Sequence, residues 1–170
     1  MKKLIILSCI LLIIAACAPS RMQVMTPLTK NFGTYSILEV ENFISLLPAK
    51  TLPEGLTQRL TEGVMEEVRS LNLFKEVRPV SNETGKQTLI LRGKIVEYEK
   101  GNQFTRYMIG YGAGKGSLTV ECECVDKQTG EVVYKANFIG EIVTGIAGGS
   151  IKTAEKSLVK KIAEFIKANY

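Results

Sequence analysis

Apolar and polar positions fall into a short series of periodic stretches behind an unbroken apolar start. Tyr35 to Phe43 alternates, with Leu38 and Val40 on one side and Ile37, Glu39 and Glu41 on the other, which predicts a strand. Leu56, Leu60, Val64, Val68 and Leu71 then recur at spacings of four, four, four and three, while Gln58, Arg59, Glu62, Glu66 and Arg69 occupy other faces. That is the stripe of an amphipathic helix ending near Asn72. Phe74 to Val80 reads as a short strand, so the first unit is β-α-β and its two strands are expected to be parallel.

Three further strands follow. Leu89, Leu91, Gly93 and Ile95 alternate before Val96 and Tyr98 switch parity, which predicts a bulge or bend near Gly93 or a strand covered on both faces. Gly116 to Asp126 places Leu118, Val120, Cys122 and Cys124 on one face and Thr119, Glu121 and Glu123 on the other. Glu131 to about Val143 turns Val132, Tyr134, Ala136, Phe138 and Ile142 inward. Between them Asp126-Lys-Gln-Thr-Gly130 is a hairpin connection, with an acceptor opening the turn and a glycine free to take positive φ closing it. Ser150 is placed as an N-cap, and Ile151, Ala154, Leu158, Ile162 and Phe165 or Ile166 form the stripe of a closing helix. Its lysines, Lys152, Lys156, Lys160, Lys161 and Lys167, read as a solvated face. The expected fold class is α+β: a single mixed β-sheet, β-α-β then an antiparallel β-β-β meander then α, with two helices packed on one face.

The apolar start carries the strongest address. Lys2 and Lys3 precede an apolar run from Leu4 to Ile14, followed by small residues and Cys17. Leu4 to Ala16 falls short of the roughly 20 residues that span a bilayer as a helix, so the segment reads as a cleaved secretory signal. Ile14-Ala15-Ala16-Cys17 resembles the lipobox of bacterial lipoproteins. That resemblance implies diacylglycerol on the Cys17 sulfur, cleavage before Cys17, and usually a further acyl chain on the new amino group. Multiple chains make the anchor effectively permanent. Ala18 stands where the class carries Asp for inner-membrane retention, which favours the outer membrane, facing the periplasm. The expected organisation is residues 1–16 as signal peptide, 17–33 as lipidated N-terminus and flexible tether, and 34–170 as a single α/β domain. As a tether, that stretch reaches at most roughly 50 Å.

Removing the signal changes the rest of the picture. The chain has 170 residues and a formal charge of +5, which falls to +3 without Lys2 and Lys3. So mild and scattered an excess argues against nucleic acid as a partner. Of four cysteines, Cys9 leaves with the signal and Cys17 goes to lipid. Cys122 and Cys124, neighbours i and i+2 on a strand, sit about 6.5 to 7 Å apart at the edge of disulfide geometry, and two inward thiols are the better reading. The chain has no histidine, so Cys-x-Cys is a weak basis for a metal site, and no cofactor is expected.

Two glycine-rich segments remain, Gly110 to Gly116 and Gly145 to Gly149. Neither a phosphate-binding nor a dinucleotide loop fits: position 109 is Ile, Lys115 is followed by Gly116, and the first segment leads into a strand. In an antiparallel meander both segments fall at one edge of the sheet, beside the start of the closing helix. Arg106 and Lys115 add charge there, and Phe104, Tyr107 and Tyr111 add stacking area. Arg106, Tyr107, Tyr111, Lys115, Gly148, Gly149 and Ser150 therefore make a candidate binding edge. The candidate ligands are an envelope protein, peptidoglycan or another acidic polymer, or an acidic lipid head group. The alternative is that the glycines only allow tight packing.

Arg106, Gly112-Ala-Gly-Lys-Gly116, Val120 and Asp126-x-x-Thr129-Gly130, with Asn72-x-Phe74-x-x-Val77 and Leu91-x-Gly93-x-Ile95 upstream, resemble an uncharacterised family of short bacterial lipoproteins, a domain of unknown function. More distantly, the element order is similar to periplasmic α/β domains of curli-secretion lipoproteins and of lipoprotein activators of peptidoglycan synthases. Catalysis is not expected, since no nucleophile, base and orienting group fall together. The expected role is a non-catalytic binding or scaffold lipoprotein of the envelope. The alternatives are a subunit of an envelope transport or secretion assembly, with oligomer contacts at residues 104–116, and a regulator of a peptidoglycan-building enzyme.

Overall fold

The computed structural model describes residues 20–48, 50–83, 87–100, 116–142 and 151–170. Seven strands form one mixed sheet: β1 (Ser20–Thr26), β2 (Ile37–Val40), β3 (Ile44–Ser45), β4 (Glu76–Pro79), β5 (Thr88–Glu99), β6 (Gly116–Asp126) and β7 (Val132–Ile142). Two helices, α1 (Leu56–Ser70) and α2 (Ile151–Ala168), cover one face. The spatial order is β1-β7-β6-β5-β2-β4, with β3 added beside β5. The expected class holds, and so does the parallel pairing of β2 with β4 across α1. Parallel pairing of β2 with β5 joins the β-α-β unit to the meander, in which β5, β6 and β7 are antiparallel.

The inward positions are those the alternation picks out. Leu38, Leu91, Ile95, Leu118, Val120, Cys122, Ala136 and Phe138 meet Leu60, Val64, Leu158, Ile162 and Ile166 in one core. Phe165 closes its side, stacked on Tyr134 at 4.2 Å and edge-on to Phe32 and Phe138 at 5.8 Å. Cys122 and Cys124 are free and buried in this layer, where burial raises both thiols, Cys124 to about 12. They are packing residues.

Four details differ from the sequence reading. Residues 20–33, expected to be tether, are integral to the domain. Ser20 to Thr26 pairs antiparallel with β7, Thr29 N–H donates to the Val133 carbonyl at 3.0 Å, and Phe32, fully buried in a 3-10 turn, donates its N–H to the Asn169 carbonyl at 2.8 Å. An edge strand is held mainly by backbone hydrogen bonds, which any side-chain composition can make, so its sequence carries little strand signal.

The strand expected over 35–43 breaks after Val40, where Phe43 N–H turns to the Thr61 hydroxyl of α1 at 2.8 Å. The parity switch of β5 comes from a bulge at Val96, while Gly93 stays in register opposite Cys122. Gly93 is needed for another reason: a Cβ there would lie 2.5 Å from the Phe43 ring. A second bulge at the start of β7 buries Val133 in place of Val132.

Candidate functional site

The strand directions give the sheet two unlike ends. At the turn end, β6 passes into β7 through Asp126 to Gly130, and Gly130 takes φ of +73°. At the open end β5 and β7 finish and β6 begins, with Glu99 opposite Ser117 and Gly116 opposite Ile142. Lys100, Gly116, Ile142 and Ile151, which bound the connections 101–115 and 143–150, are therefore gathered at this end, together with the start of α2. The residues singled out from sequence, Arg106, Tyr107, Tyr111, Lys115, Gly148, Gly149 and Ser150, lie outside the described residues, as does Cys17. What the structure supplies is the frame from which those segments depart.

The turn end holds two ionic clusters that the sequence pattern does not display. Asp126 Oδ1 accepts the N–H groups of Gln128 and Thr129 at 2.9 and 3.2 Å, which is the turn chemistry expected of it. Its Oδ2 does further work, accepting from Lys30 Nζ at 2.8 Å and from the Tyr35 hydroxyl at 3.0 Å. The Lys30 hydrogen bond is the largest influence and, with Tyr35 and the two backbone donors, outweighs burial to hold the Asp126 carboxyl down to about 2. Burial first, and then the Asp126 contact, push the Tyr35 hydroxyl up to about 12. Asp126 thus ties the N-terminal segment to the β6–β7 turn.

Beside it, Glu39 of β2 is fully buried although it points away from the helices. Burial alone would raise its carboxyl, but hydrogen bonds from Lys127, Ser81 and Arg78 overcome that and lower it. Lys127 Nζ lies 2.6 Å from Oε2, while the Ser81 hydroxyl at 2.8 Å and the Arg78 guanidinium at 3.1 Å share Oε1. Sequence reasoning missed this cluster because its members lie far apart in the chain; the only local signal was a carboxylate on an otherwise apolar strand.

Asp126 has a depressed pKa, so it stabilises the fold fully above its unfolded value of about 4 and loses that contribution as pH falls towards 2. The size expected from that displacement is about 2 kcal/mol. Thermal unfolding followed from pH 7 to 2.5 should show a steep acid decline that Asp126→Asn flattens, at the cost of lower stability at pH 7. An equally steep decline in the variant would remove Asp126 from the account.

The helix-free face of the meander carries interleaved charges. Glu121 sits between Lys135 at 3.0 Å and Lys94 at 3.8 Å, Glu123 between Arg92 at 3.7 Å and Lys135 at 3.8 Å, and Arg92 also reaches Glu41 at 3.0 Å. Opposite charges on adjacent strands satisfy one another, so this face is a ladder of paired charges across the sheet. Among the described residues, no cluster of three potential metal ligands occurs, and no helix is long and apolar enough to cross a membrane.

An open mixed sheet with both described helices on one face defines a small α+β module. The chain belongs to the family described as Domain of unknown function (DUF4410), whose model matches residues 48–145. That assignment agrees with the resemblance read from its glycines and turn residues. No curated protein matches the chain. Among solved structures it is similar to PelC of Paraburkholderia phytofirmans, a dodecamer, at 13% identity and a TM-score of 0.58, covering 87% of this chain and 97% of that one. It is also similar to protein XCC0632 of Xanthomonas campestris, of the DUF330 family, at 12% identity and a TM-score of 0.51, covering 84% and 88%. At these identities the likeness is one of fold.

Proposed function

We propose that the protein is a lipid-anchored, non-catalytic binding or scaffold module of the outer membrane, facing the periplasm. The observation that carries this reading is the run Leu4 to Cys17, ending in the Ile-Ala-Ala-Cys of a lipobox, directly ahead of a folded α+β module. The open end supports a binding role, since the bounds of the two glycine-rich connections are gathered there. A photoreactive residue at position 107 is expected to trap an envelope component in cells. Alanine at Arg106 and Lys115 together should abolish that crosslink while leaving thermal unfolding unchanged. Unchanged crosslinking in the double variant would overturn the open end as the binding surface.

A second reading, a subunit of an envelope assembly, is favoured by β1. This outer strand contains neither Lys nor Pro and exposes Met22, Val24 and Met25 at 39, 50 and 51%. The opposite edge strand, β4, ends in Pro79, a residue that blocks edge pairing. An outer strand with exposed apolar side chains suits pairing between copies, and the dodecameric state of PelC supports the idea. Native mass measurement on detergent-extracted protein separates the readings: a discrete ring favours the second, a monomer the first.

A further inference from the structure

We propose that the open end of the sheet is seated on the phospholipid surface, with the turn end held away from it; this rests on the lipid-anchored reading above. The register of β1 supplies the geometry. Ser20 pairs with Gly140, two residues before β7 ends, so the chain enters the domain at the open end. Three residue steps separate Ser20 from Cys17, and three extended steps reach at most roughly 11 Å. A lipid on Cys17 therefore holds the open end close to the membrane interface, where a 16-residue tether would have left the domain free to turn over.

The chemistry of that end suits the surface. Lys100 at the end of β5 is exposed, and Arg21 on β1 is 72% exposed beside its Glu141 partner. β3 runs parallel to β5, so the chain leaves Ser45 towards the same end through Leu46, an aliphatic side chain 62% exposed. Lys100 and Arg21 stand there beside exposed Glu97 and Glu99, so the charge is mixed and the apolar Leu46 is what suits an interfacial contact.

The chain contains no tryptophan, so single substitutions report position without background. Lys100→Trp marks the open end and Gln128→Trp the turn end, both at exposed positions, with Glu99→Trp and Glu131→Trp as the replacement pair should either fail to fold. Full-length protein produced with its signal is extracted, reconstituted into phosphatidylethanolamine–phosphatidylglycerol vesicles, and titrated with a lipid bearing a nitroxide on its head group. The 11 residues of β7 separate the ends by about 33 Å, so the tryptophan at 100 should lose about half its emission and that at 128 none. Equal quenching at both positions, quenching at 128 alone, or none at either overturns the seating. The mass of the N-terminal peptide is read on the same samples: an unmodified Cys17 overturns the anchor itself, a failure distinct from that of the orientation.

Discussion

Glu39→Gln is expected to lower the unfolding free energy by about 3 kcal/mol, an unusually large effect for exchanging one oxygen for one nitrogen. The substitution keeps the shape of the side chain and removes its charge. Lys127 would be left with the Ser81 carbonyl at 2.7 Å, and Arg78 with the carboxylates of Glu76 and Glu83, both at the surface. The new amide would also point donors at cations. Breaking a buried ion pair by removing one partner costs more than the pair contributes, because the surviving charge stays desolvated. Since Glu39 has a lowered pKa, its contribution is present above the ordinary carboxylate range and fades as pH falls. The variant and the parent should therefore converge in stability at low pH. Urea unfolding at pH 7 and pH 3 measures this; a difference of under about 1 kcal/mol at pH 7 would show that the cluster is merely tolerated.

Phe138→Ala should cost about 4 kcal/mol. The side chain is 1% exposed at the centre of β7, opposite Val120 on one side and Met22 on the other, and edge-on to Phe165. Removing the ring empties space that the helix layer above cannot fill without losing Leu158 and Ile162 from the sheet. In a domain of this size the loss corresponds to a drop of about 10 to 15 °C in melting temperature. Circular dichroism melting reports it directly. A drop of only a few degrees would mean that α2 collapses onto β7 with little penalty.

These two positions also show where the sequence is readable. Phe138 is an alternation residue: period two placed it inward, and the structure keeps it there. The stripes of Leu56 to Val68 and Ala154 to Ile166 behave likewise, because burial of one face is a local, repeated constraint. Glu39 is the opposite case. Alternation assigned it correctly to the helix-free face, but its burial depends on Ser81 and Lys127, 42 and 88 residues away, and no local pattern encodes that.

β1 escaped for a related reason, since its partner β7 lies more than a hundred residues downstream and an edge strand needs few apolar residues to pair. Gly93 was noticed as an irregularity and proved to be the space under Phe43, a tertiary contact expressed as a missing side chain. Of the candidate site, the sequence supplied the gathering of two glycine-rich connections at one sheet end. It could not supply the entry of the chain at that same end, which follows only from the antiparallel register of β1 against β7.

That register would make the proposed anchor more than an address. With an ordered strand beginning at Ser20, a lipid on Cys17 would set which end of the domain meets the membrane. The most direct test is the mass of the N-terminal peptide of the protein extracted from membranes. The expected peptide begins at Cys17, carries a diacylglycerol on sulfur, and disappears in favour of uncleaved precursor in Cys17→Ser. A parent peptide beginning elsewhere, or an unmodified Cys17, would contradict it.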